Sequence, residues 1–182
     1  MGIEEISEYQ RNNIVKLYNY LKTLPEDYEH FDMKYYHTVV TDDDILHIKQ
    51  LSDINFQDNC ITACGTVACV AGHGPYAGIG NKEDWQFWGE YCDKHLIEYE
   101  SFSVEWHFLF SATWNIFAPT LKDAIQRLEY FILNQFTITE QWSAYRYGEY
   151  NIRFDMVKDW ESYLNIEIEA LRLNGATIPD VK

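Results

Sequence analysis

Between Asp58 and Lys82 the chain carries no charged residue, and His73 is the only residue there that can gain a positive charge. The stretch Cys60-Ile-Thr-Ala-Cys64-Gly65-Thr66-Val67-Ala68-Cys69-Val70-Ala71-Gly72-His73-Gly74 is small or apolar at nearly every position and holds three of the four cysteines. A segment so small and apolar must be covered by the rest of the protein, and its Ala and Gly positions let neighbouring backbones approach closely. The pattern predicts a short buried helix over residues 66–73. Cys64-Gly65 forms the turn into it, Thr66 its N-cap and Gly74-Pro75 its end. The first amides of such a helix face Cys64 and favour negative charge there.

On either side of this segment the apolar spacing is helical. Ile6, Ile14, Leu17, Leu21 and Leu24 predict a helix over residues 4–24, stopped by Pro25. Asn81 with Asp84 predicts a capped helix over 82–99, with Trp85, Trp88, Cys92 and Leu96 on its apolar stripe. A very aromatic helix follows over 104–114, and Thr120 with Asp123 opens another over 120–134. Thr139 is placed to cap a short helix over 139–147. Trp160, Leu164, Ile168 and Leu171 line a last helix over 153–174, which Asn174-Gly175 suits as a left-handed cap. Residues 35–40 read as a strand able to pair with residues 45–51 in a small hairpin. The expected fold is mainly α: a single compact helical domain over residues 1–182 with a minor β-hairpin, long enough to bury a sizeable core.

The run Cys64-Gly-Thr-Val-Ala-Cys69-Val-Ala-Gly72-His73 resembles the CGTxACxAGxA box of a family of small, uncharacterised proteins from bacteriophages and their hosts. Flanking residues extend the resemblance: Phe31-Asp32-Met33, Glu105-Trp106-His107-Phe108-Leu109-Phe110-Ser111 with Trp114, and Thr120 to Leu128. It covers residues 12–135 or so. An insertion over residues 36–59, a helical extension over 136–175, and His73 at a position where the family often carries Trp are departures. The resemblance implies a phage-type accessory protein and brings no settled activity.

Charge narrows the function further. Against 14 Lys and Arg stand 29 Asp and Glu, a formal net charge of −15. Nucleic-acid binding and docking on anionic membranes both need clustered cations, so neither is expected. A basic protein partner, or mimicry of a polyanion, is compatible with this balance. No apolar run is long enough to span a membrane and residues 1–24 do not read as a leader. With reduced cysteines, the expected compartment is the cytoplasm, that of the host cell if the protein is phage-encoded.

Two chemistries remain open. Cys64, at a helix start, is placed to act as a nucleophile with His73, His95 or His107 as base. The competing reading is a small thiol filling a crowded junction. Alternatively, Gln141-Trp142-Ser-Ala-Tyr145-Arg146-Tyr147 and the following residues to Arg153 alternate rings with guanidinium groups. With Arg127 and Trp114, the residues Trp142, Tyr145, Arg146 and Arg153 suit an anionic aromatic ligand: rings stack on a base and arginine pairs with phosphate. The competing reading makes these rings core and pairs the arginines with surface acids. The cysteine spacings do not fit a zinc site, and no metal or cofactor is expected. The leading expectation is a non-enzymatic protein binding a host-derived small ligand, a nucleotide-like metabolite or immune signal. A cysteine hydrolase or transferase and an acidic protein-binding inhibitor are the alternatives.

Overall fold

The computed structural model describes residues 6–28, 31, 38–39, 66–67, 70–80, 88–97, 104–110, 120–139 and 160–181. These are mainly α-helical: α1 (Glu8–Leu21), α2 (Trp88–His95), α3 (Val104–Phe110), α4 (Leu121–Leu133) and α5 (Trp160–Leu173).

Four helix ends have a clear chemical cause. Ser7 and Gln10 form a reciprocal capping box at α1: Gln10 N donates to Ser7 Oγ at 3.2 Å and Ser7 N donates to Gln10 Oε1 at 3.1 Å. Thr120 and Asp123 do the same at α4, at 3.2 and 3.0 Å. At the end of α5, Gly175 takes φ +88°, Gly175 N donates to Arg172 O and Ala176 N donates to Leu171 O. This is the left-handed closure that Asn174-Gly175 predicts. At the end of α4 the same closure occurs without glycine. Gln135 and Phe136 take φ +57° and +61°, and Phe136 N donates to Phe131 O at 2.8 Å. The Phe136 ring lands edge-on to Phe131 with centroids 5.7 Å apart, an apolar contact that holds the strained turn.

Helix α4 lies at the centre. Nine of its thirteen residues are buried, so it is covered on most sides, by α1, α3 and α5. Ile14, Leu17 and Leu21 of α1, Leu109 of α3, Leu128 and Phe131 of α4, and Leu164 of α5 belong to one continuous apolar cluster. Val70, Ala71 and Ile79 join it from the loop before α2.

That loop corrects the helix expected over residues 66–73. Thr66–Val67 is extended (β2) and pairs antiparallel with Thr38–Val39 (β1), in the register Thr38↔Val67 and Val39↔Thr66. Two β-branched residues in sequence favour extended backbone over the helix that the Ala positions suggest. Among the described residues of this loop, helical backbone appears after Val70, as two single 3₁₀ turns, Ala71–His73 and Pro75–Ala77. Thr66, extended with Val67 after it, is therefore not the N-cap of a helix. Val70 holds the cap position of the first turn without a side-chain bond. The other proposed hairpin strand (45–51), the Asn81–Asp84 cap and the helix over 140–147 lie outside the described residues.

Candidate functional site

Polar side chains are carried into the interior at two places, and both follow from local sequence. The first is the glycine turn before α2, packed against α1. Gly78 ends it at φ +74° and Gly80 continues at φ +68°, both left-handed. Gly74 is needed for a different reason. Its φ of −53° suits any residue, but a Cβ there meets the Tyr91 hydroxyl at 2.0 Å. Tyr91 is fully buried and its hydroxyl donates to Ile79 O at 3.0 Å, so one phenol ties both ends of the turn to α2. Burial, then the nearby Cys92 and Tyr9, push the Tyr91 pKa well above that of an ordinary phenol.

His73 ends the first 3₁₀ turn and is 2% exposed. Four rings surround it. Phe31 stacks parallel at 5.8 Å, and Tyr28, Tyr76 and Tyr20 lie tilted at 5.7, 5.9 and 6.2 Å. Burial raises the pKa of both Tyr20 and Tyr28, and the neighbouring phenols add to it. His73 is thus wedged between the end of α1 and the glycine turn.

His95 closes the other side of this junction. It is 3% exposed, its Nδ1 shares a 2.6 Å hydrogen bond with the Tyr9 hydroxyl, and its ring lies 5.1 Å from that of Tyr91. A Cβ on Gly80 would lie 2.7 Å from His95 Nε2. Asn13 Nδ2 donates to His95 O and Gln10 Nε2 donates to Asp93 O, so polar residues of α1 take up the last carbonyls of α2. Tyr9 and Asn13, one helical turn apart and facing α2, are the residues that sequence reading missed; their periodicity was the available signal.

The second is held by Arg127, on the inner face of α4. It is fully buried and is the only buried Lys or Arg among the described residues. Ala124, Tyr130 and Phe131 are three or four residues away on the same face, and Phe108 of α3 meets Tyr130 edge-on at 5.6 Å. Burial pushes the guanidinium pKa down to about 9, opposed by Asp123 one turn earlier. It stays cationic at neutral pH. Asp123 is also committed to the cap at Thr120, so its charge serves the helix start as well as the arginine.

Of the residues expected to carry chemistry, the structure describes His73, His95 and Arg127 in full. His107 lies in α3, and its side chain is outside the description. Cys64, Trp114, Trp142, Tyr145, Arg146 and Arg153 lie outside the described residues. Cys92 is a fully buried cysteine outside any disulfide, on the apolar side of α2. Among the described residues no three His, Cys, Asp or Glu side chains group to hold a metal ion, and no helix is long and apolar enough to cross a membrane. No protein-family model, no curated protein and no solved structure matches the chain.

Proposed function

We propose that the protein binds a small anionic aromatic ligand through Arg127, as a non-enzymatic accessory protein. The observation that carries this reading is a guanidinium held at zero exposure in the central helix, with Tyr130 and Phe131 one turn further along the same helix. Taking a charge out of water costs several kcal/mol before compensation, about the scale on which one buried ion destabilises a fold. Arginine is also the cation best shaped for phosphate, since its planar fork makes two parallel hydrogen bonds. Rings next to it supply faces for a base to stack on. The ligand class is a nucleotide or nucleotide-like signal derived from the host, and the activity is sequestration. Arg146, Arg153, Trp114, Trp142 and Tyr145 are proposed to complete the site. The phage setting rests on the resemblance of the box at Cys64–His73.

Calorimetric titration with a panel of nucleoside monophosphates, diphosphates and cyclic dinucleotides tests this. The wild type is expected to give saturable heat with at least one of them. Arg127→Lys keeps the charge but loses the fork, and is expected to weaken binding by about 1.5–3 kcal/mol. Heat that is unchanged in Arg127→Lys, Arg146→Ala and Arg153→Ala, or absent with every nucleotide, refutes the reading.

A further inference from the structure

Helix α5 has two apolar faces, and among the described residues only one is covered. Trp160, Leu164 and Ile168 are buried against the core. On another side of the same helix Tyr163, Ile166, Ala170 and Leu173 follow one another at spacings of three, four and three residues. Such spacing lays them in one line about 15 Å long. All four are exposed, Ile166 at 66% and Leu173 at 86%. Of the four exposed large apolar side chains among the described residues, three stand on this line. Scattered exposed apolar residues are ordinary, whereas a continuous line of them at heptad spacing is how one helix seats another.

We infer that this line is a docking surface for a basic amphipathic helix of a protein partner. Charge selects that occupant. Glu167 and Glu169 flank the line, and Glu129 of α4 reaches across to Arg172 on the same helix. The nearby cation, Arg172, is taken by Glu129 and Glu169 at 2.5 and 2.6 Å. Lys122, further off, is matched by Glu161 at 2.9 Å. Among the described residues the border is therefore net acidic, on a chain of net charge −15. A second copy fits badly: antiparallel self-pairing would bring two chains of charge −15 together and set Glu167 beside the copy's Glu167 and Glu169 beside its Glu169. A helix with Leu or Ile at heptad spacing and Lys or Arg on its borders meets both the line and its rim. This surface is independent of Arg127, so either reading can fail alone.

The test uses the full chain and two labelled peptides of about two heptads, one of leucine and lysine and one of leucine and glutamate, read by fluorescence anisotropy. The lysine peptide is expected to bind with an affinity that falls as salt is added. Ile166→Asn with Leu173→Asn, a pair that leaves net charge unchanged, is expected to weaken it by roughly tenfold or more. Both positions are exposed, and an unchanged circular dichroism melt confirms the variant is folded. Equal affinity in wild type and variant overturns the inference, because charge alone then explains binding. So does equal binding of the glutamate peptide, or no binding of either. A wild type that elutes as a dimer while the variant elutes as a monomer also overturns it, assigning the face to a second copy.

Discussion

Replacing Gly74 by alanine probes the glycine turn before α2. The backbone there, φ −53°, accepts alanine without strain, so any loss comes from packing. The added Cβ would stand 2.0 Å from the Tyr91 hydroxyl, 2.9 Å from its Cζ and 3.1 Å from Ala71 O. Tyr91 is fully buried and must shift, which overpacks the junction by about 1–3 kcal/mol. Its bond to Ile79 O is then stretched or lost, for another 1–3 kcal/mol or so. The stiffer unfolded chain returns roughly 0.4–1 kcal/mol, leaving a net loss of about 1–5 kcal/mol, centred near 3 kcal/mol. Gly78→Ala is the control: φ is +74° but nothing lies within 4 Å, so only backbone strain of about 1–2 kcal/mol applies. Urea unfolding followed by tryptophan fluorescence measures both. Tyr91→Phe removes the atom that the new methyl strikes. The double variant Gly74→Ala/Tyr91→Phe is therefore expected to be less destabilised than the sum of the singles, by about 1 kcal/mol or more. A Gly74→Ala loss no larger than that of Gly78→Ala, or strict additivity in the cycle, refutes the packing argument.

The left-handed turn after α4 has no glycine, so Gln135→Gly is expected to relieve backbone strain and raise stability by about 1 kcal/mol in urea unfolding. Thr120→Ala removes a cap that accepts from Asp123 N and is expected to cost about 1 kcal/mol. Tyr18, Tyr20, Tyr28, Tyr91 and Tyr130 all have pKa values raised above 10.0, chiefly by burial. Their folded forms hold protons that the unfolded chain releases, so this contribution is intact below pH 10 and is lost as pH rises above it. Absorbance at 295 nm should show these phenols ionising together with unfolding, and smooth ionisation of all fourteen tyrosines without unfolding would contradict it.

How far the sequence was legible depended on how local each cause is. The Thr120–Asp123 cap, the stop at Gly175 and the inward row Trp160, Leu164 and Ile168 each depend on residues within a turn or two, and each is found where expected. The segment at residues 66–73 was misread because its small residues suit close packing in any conformation. The β-branched pair Thr66-Val67 then chose a strand whose partner lies far away in sequence. The turn at Gln135-Phe136 left no mark because no glycine announces it; the contact between Phe131 and Phe136 imposes it. Tyr9 and His95 are 86 residues apart, beyond the reach of periodicity alone. Arg127 was read as a ligand residue by its type, yet its position among Ala124, Leu128 and Phe131 already placed it on the buried face of α4.

The most direct measurement is of Arg127 itself. In a two-dimensional ¹⁵N–¹H spectrum of the full protein, the Nε–Hε resonance of a buried arginine exchanges slowly and can be assigned by its loss in Arg127→Lys. Adding the nucleotide that gives the greatest heat should shift that resonance in proportion to occupancy, since a phosphate on the guanidinium changes its hydrogen bonding directly. If saturating nucleotide moves other resonances and leaves Arg127 where it was, the ligand sits elsewhere and the account of this site is wrong.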